Sequence, residues 1–328
     1  MKYNLNKTPI RTNKGYNIND FKLDINIPEI KEFSKFKTNI DNIKSSITTS
    51  FESKIGINFN KCYKLDIDIE NKDNYFEYIF NEDILVNEIN FNIKNDSNIF
   101  IKYISDKEVY NNVKININTS KNINTNVTIL NNLNNESSNF MNINSLLNEN
   151  SSVILNFIDI GSKNKISNIT STLHKNSKYE LNNIYVGKKD NKIDMNFYAE
   201  NKEENTVSKI VSEGALTSNA IKHFKGTIDF IKGCKNSIGE ENENCVLLSE
   251  NAKSISLPML LCHEDDVKGS HGVSTGKIDL EKLFYIKSRG ISEKDAKKLI
   301  IFSNFNKVIN KVPNEIKEEI IKVLNDIF

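Results

Sequence analysis

The sequence predicts a mainly β protein that closes on a small α-helical module. Three observations carry this. From Cys62 onward the chain breaks into short segments in which isoleucine or valine alternates with polar residues, the period of half-buried strands. No proline occurs between Pro28 and Pro258 and no glycine between Gly56 and Gly161, so the Asn-Gly and Asp-Gly turns of ordinary hairpins are missing there. After Ser292 the apolar spacing changes to three and four residues, as on one side of a helix.

Taken in order, residues 1–50 contain Pro9, Pro28 and mixed polar runs. They read as an extended lead-in with a short helix near 29–46. Alternating segments follow: KLDIDI at 64–69, EINFNI at 88–93, IFIKYI at 99–104, VKININ at 113–118 and INTNVTI at 123–129. Further strands are expected at 153–160, 179–186, 193–199 and 226–231. Steps such as Asn95-Asp96 and Asn131-Asn132 replace glycine at the corners. Many short strands with asparagine-rich corners suit a β-solenoid, whose stacked turns let asparagines form ladders. A β-sandwich fits the same composition. Ser292 with Asp295 predicts a capping box for a helix whose apolar positions are Ala296, Leu299, Ile300, Phe305, Val308 and Ile309. Pro313 punctuates, and a second helix carries Ile316, Ile320, Ile321, Val323, Leu324 and Ile327.

Composition excludes several function classes. With 38% hydrophobic and 27% charged residues, the chain can bury a core and is not disordered. Its 44 basic and 43 acidic side chains nearly cancel, so it lacks the charge footprint of a nucleic-acid binder. Four cysteines, Cys62, Cys234, Cys245 and Cys262, form no CxxC pair, which suits a reducing cytoplasm better than a disulfide framework. The start, MKYNLNKTPIRTNKGYN, has no apolar core of a secretion signal. No apolar run reaches membrane-spanning length; Leu257 to Cys262 is the longest near the carboxy-terminal signature. Asparagine fills 54 of 328 positions and arginine only two, Arg11 and Arg289. Because apolar residues keep their spacing between the asparagines, this bias reads as codon usage in an AT-rich genome rather than a prion-like tract.

The densest chemistry lies between Ser256 and Ile291, SLPMLLCHEDDVKGSHGVSTGKIDLEKLFYIKSRGI. The GVSTGK run at 272–277 is one residue short of a Walker A loop, and Ile278 stands where Ser or Thr is required. Nucleotide binding is therefore not expected of this chain. Cys262-His263-Glu264-Asp265 looks like a ligand cluster, but adjacent strand residues face opposite ways. Glu264-Asp265-Asp266 offers paired carboxylates of the kind β-helix polysaccharide-cleaving enzymes use. That reading expects a secretion signal and sugar-stacking aromatics, whereas this chain has no tryptophan. An adhesive solenoid leaves the LFYIKSRGIS segment and the terminal helices without a purpose.

In order and spacing, Asp265-Asp266-Val267-Lys268, Ser270-His271-Gly272, Leu283-Phe284-Tyr285 and Ser288-Arg289-Gly290-Ile291 resemble the carboxy-terminal core of the SufB/SufD family of iron–sulfur cluster assembly proteins. The resemblance implies a right-handed parallel β-helix at about 51–276, after a lead-in at 1–50 and before a helical module at 277–328. It implies a non-catalytic scaffold role and a transient cluster shared with a partner subunit rather than held alone. His271 is then a candidate at the cluster-assembly site, since imidazole can replace thiolate on iron; the alternative is a histidine that caps a glycine-rich turn. The family's cysteine two residues before that histidine is Gly269 here, which makes the chain resemble SufD more than SufB. Cys245 lies beside the position of the essential scaffold thiol, with Glu243 in register. It reads as a buried thiol before it reads as a ligand. The resemblance also implies docking of the ABC-type ATPase SufC on the helical module, through Phe284, Tyr285, Arg289, Leu299 and Ile300. It implies edge-to-edge pairing of the last strands with a SufB-type subunit, or with a second copy as sole homodimeric scaffold. No nucleic-acid or membrane partner is expected, and the location expected is cytoplasmic.

Overall fold

The computed structural model describes residues 2–7, 21–25, 35–41, 43–52, 55, 57–59, 61–79 and 84–326. It is 58% strand, wound into a β-solenoid of about eight turns. Two nine-stranded sheets form its walls. Within each wall the strands that follow the first pairing run parallel and in exact phase: Ser152 lies opposite Lys178, and Lys178 opposite Val207. The sandwich alternative is thereby excluded, because a sandwich pairs neighbouring strands antiparallel. Side chains from both walls meet in one lumen filled by residues such as Ile115, Ile143, Phe197 and Phe224.

Asparagine makes the corners. Asn122, Asn150, Asn176 and Asn205 all take a left-handed backbone, with φ of 57–60°, a region asparagine tolerates better than other non-glycine residues. Their carboxamides stack: Asn150 Nδ2 donates to Asn122 Oδ1 at 2.9 Å, Asn176 to Asn150 at 2.8 Å, and Asn205 to Asn176 at 3.1 Å. A second ladder climbs the outer face of one wall, from Asp66 through Asn90 and Asn116 to Asn144. The asparagine bias therefore closes turns without glycine.

The amino-terminal part differs from its expectation. Lys35–Thr38 and Ile43–Thr48 are strands, not a helix; the rest of the expected 29–46 helix lies partly outside the described residues. These two strands cap the first turn by pairing antiparallel with Asp73–Ile79 and Cys62–Ile69. The start of the chain is also tied to the solenoid. Lys2–Asn4 pairs with Lys22–Asp24, and Leu5, Phe21 and Leu23 pack with Val86, Tyr110 and Phe140 on the outer face of one wall. Beneath them Lys225 and Asp194 form a fully buried ion pair at 3.1 Å, and Lys225 Nζ donates to the Asn6 carbonyl at 2.7 Å.

Three helices close the chain: α1 (Leu280–Lys287), α2 (Glu293–Ile309) and α3 (Asn314–Asn325). Ser292 caps α2, its Oγ accepting from the Asp295 amide, as the capping box predicts. The helices do not sit on the end of the solenoid. Phe305, Val308, Ile309, Ile320 and Leu324 pack along the outer face of the other wall, against Leu130, Ile158 and Ile184. Lys307 pins α2 there through Glu213 at 2.8 Å. Within α2, Ile301 is buried while Leu299 is 52% exposed. The apolar face is thus rotated from the one that the spacing suggests, leaving Leu299 outward.

Candidate functional site

The last turn of the solenoid consists of Lys253–Cys262 and Val267–Lys277, each the terminal strand of its wall. Each pairs on one side only, with Ile221–Phe230 and Ser237–Leu247 respectively. Among the described residues no strand pairs with the other backbone edge, and the mouth of the lumen is open there.

His271 stands in the middle of Val267–Lys277, not in a turn; the capping alternative is excluded. Its face follows from its neighbours. A Cβ on Gly269, two residues earlier, would meet lumen residues Phe230 and Leu260 at 3.1 and 3.4 Å. Thr275, four residues later, reaches Ser254 of the other wall at 3.2 Å. Residues two apart in a strand share a face, so His271 faces the mouth, where it is exposed. The same contacts explain Gly269: any side chain there presses on Phe230 and Leu260.

One turn below, the lumen changes character. Glu241, Glu243 and Cys245 alternate along Ser237–Leu247 and all point inward. Lys222 Nζ meets Glu243 Oε1 at 2.6 Å and Ser256 Oγ at 2.8 Å. Tyr185 donates to the same carboxylate at 2.6 Å, and Ser256 to its other oxygen at 2.9 Å. Glu243 is fully satisfied, as a buried charge must be. Glu241 is not: it is fully buried, and neither carboxylate oxygen has a hydrogen-bond partner. Burial, aided by the Glu243 charge, pushes its carboxyl up to about 8. Burial also raises the Cys245 thiol, which keeps it from the thiolate state that binds metal.

Other sequence candidates separate. Cys262 is exposed at the end of its strand, while the His263 ring lies 3.8 Å from Asp229. Glu264 accepts from the Gly233 amide at 2.9 Å, so this carboxylate closes a turn rather than flanking a substrate. Among the described residues no group of three or more His, Cys, Asp or Glu side chains is arranged to hold a metal ion. Lys222 and Glu241 escaped the sequence reading, and Glu243 entered it only as the position in register with a scaffold thiol, because ENEN at 241–244 looks like a solvent-facing run. Gly226 is the signal that marks them: a Cβ there would sit 1.9 Å from Glu241 Oε1.

The partner-binding candidates converge on α1 and α2. Asp279 caps α1 by accepting from the Glu281 and Lys282 amides, and Gly290, at φ +86°, closes the turn after it. Phe284 is 74% exposed on α1. The Arg289 guanidinium lies 4.6 Å from the centre of the Tyr285 ring, a cation–π arrangement. Between the two helices runs a groove of about 530 Å³, lined by Tyr285, Ile286, Leu299 and Ile300 among others. Four of the five predicted residues meet there or beside it, and Phe284 stands free of it.

Residues 85–304 match the family model of the SUF system FeS cluster assembly SufBD core domain. The chain is 32% identical over 116 residues to the iron-sulfur cluster assembly protein SufD of Bacillus subtilis, covering 35% of this chain and 26% of that protein. It is 38% identical over 80 residues to SufD of Escherichia coli, covering 24% and 19%. A SufBD family protein of Synechocystis is 28% identical over 122 residues, covering 37% and 25%. The aligned part thus spans about a fifth to a quarter of each relative's length.

Proposed function

We propose that this chain, which belongs to the SufBD family of SUF-system iron–sulfur cluster assembly proteins, acts as a SufD-like, non-catalytic subunit. In this reading it docks an ABC-type ATPase of the SufC kind on α1 and α2. It pairs through its open last turn with a SufB-type subunit, so that a transient cluster is built beside His271. The observation that carries the docking reading is the groove between α1 and α2, lined by the exposed Leu299, with Phe284 exposed elsewhere on α1. Large apolar side chains left in water beside a concave surface are what a protein interface requires. The pairing reading draws on the two strands of the last turn, each paired on one side only among the described residues, since an open edge is a template for another chain.

The test is co-purification with a co-expressed ABC-type ATPase of the SufC kind. Removing residues 292–328 would be a poor probe, because α2 and α3 cover Leu130, Ile158 and Ile184 and their loss would expose the wall. Phe284→Ala with Leu299→Ala removes exposed side chains only. The pair of substitutions is expected to abolish co-purification while thermal unfolding stays unchanged. Undiminished capture of the ATPase by the doubly substituted protein would refute the docking assignment.

A further inference from the structure

A cavity of about 180 Å³ lies where Pro313 and Ile316, at the start of α3, overhang the outer face of the wall. Its floor comes from the strands Asp73–Ile79 and Ser97–Ser105. On these, Asp73 with Tyr75, and Asn98 with Phe100, are two residues apart and so share a face. The Tyr75 and Phe100 rings lie 5.7 Å apart, tilted by 50°, which makes the floor aromatic. Charge around the cavity has one sign. No lysine, arginine or histidine is among the described residues that line it, whereas Asp73 is. Behind the floor the Tyr75 hydroxyl donates to Glu77 at 3.0 Å, and Lys102 lies between Glu77 and Glu319, one ammonium to two carboxylates. Asn74 also lines the cavity and is 4% exposed. Its Nδ2 is spent on the Asn71 and Asn98 carbonyls, but its Oδ1 has no hydrogen-bond partner. The partial positive charge at the amino end of α3, about half a unit, is too small to reverse the sign set by Asp73.

We propose that this cavity binds a small alkyl amine by its ammonium group. An ammonium donates to the Asp73 carboxylate and to Asn74 Oδ1, and the faces of Tyr75 and Phe100 attract it as a cation. The methylenes fill the apolar space beneath Ile316. At roughly 30 Å³ for each heavy atom, the share a water molecule takes, the cavity holds about six, the size of 1,4-diaminobutane. Such an amine stays protonated at neutral pH, as lysine does. A quaternary ammonium has no donor for Asn74 Oδ1, and an anion is repelled by Asp73. The site is independent of the docking and cluster-assembly readings.

Calorimetric titration of the full chain with 1,4-diaminobutane tests it, beside 1,4-butanediol as a neutral analogue of the same length. The wild type is expected to bind one diamine per chain, half-saturating at or below about 1 mM, and to bind the diol at least about tenfold more weakly. Asp73→Asn keeps the shape of the rim and removes its charge, and is expected to cost about tenfold in diamine affinity. Ile316→Trp fills the cavity and is expected to abolish binding. Asp73 is exposed, so its variant separates loss of the charge from loss of the fold; a thermal melt of each protein confirms this. No diamine binding by the wild type, diol bound as tightly as diamine, or undiminished binding by Asp73→Asn overturns the site.

Discussion

Lys222 and Glu243 face each other across the lumen at 2.6 Å, and neither side chain reaches solvent. Breaking such a pair from one side strands a charge in a low-dielectric interior, which costs about 3–5 kcal/mol. Lys222→Met is therefore expected to lower stability by that amount in urea unfolding. Lys222→Met combined with Glu243→Gln is expected to recover a large part of it. A single variant within about 0.5 kcal/mol of wild type would mean that water reaches the pair.

Glu241 sets a pH dependence whose sign is fixed. Its carboxyl is raised from 4.5 to about 8 by burial, with Glu243 adding to the shift. The folded protein thus holds this proton more tightly than the unfolded chain does. The stabilisation is complete below the unfolded value and is lost as pH rises through about 8. Between about pH 6 and pH 9 the wild type should lose more melting temperature than Glu241→Gln, a difference worth on the order of a few kcal/mol. Parallel curves for the two proteins would count against a protonated Glu241.

The corner ladder predicts an unusual ranking of substitutions. Asn150 both donates to Asn122 and accepts from Asn176, at φ 57°. Asn150→Ala loses both bonds and adds left-handed strain, for about 1–3 kcal/mol. Asn150→Gly loses the bonds but not the conformation, and should cost less. The ranking is read from thermal unfolding; alanine equal to or better than glycine would contradict the ladder account.

At His271, alanine is expected to leave folding and partner capture intact, because the side chain is exposed on an edge strand. Delivery of cluster to an apo-acceptor by the whole complex should fall severalfold or more. Full delivery by a well-folded His271→Ala complex would take the residue out of the mechanism.

Strands whose inward positions are mostly isoleucine, valine, methionine or phenylalanine were legible from their period. Tyr110–Thr119 and Lys192–Asn201 were found within a few residues of where alternation placed them. Ser138–Leu147 and Asn164–Leu173 were not, because asparagine and serine are buried along them beside isoleucine and leucine. Polar residues at buried positions erase the alternation. Val267–Lys277 hid for another reason: VKGSHGVSTGK has the composition of a loop, and only pairing with Ser237–Leu247 makes it a strand. The short helix α1 was missed because its residues were read as a motif. The candidate site was half legible. His271 stood out by chemistry, but Glu241 and Glu243 looked like surface charge until the register turned them inward.

The two ends of this solenoid are unlike. At the start, the capping strands Lys35–Thr38 and Ile43–Thr48 are short, run against the direction of the stack, and carry Lys37 and Lys44. Short, charged edges resist further addition. At the finish, two strands of ten and eleven residues have no described strand on their outer edge. A stack blunted at one end and raw at the other has a joining valence of one. Copies that met raw end to raw end would consume the one open edge described in each. On the proposed pairing, the unequal ends would act as a chain terminator, and joining through this edge would stop at two.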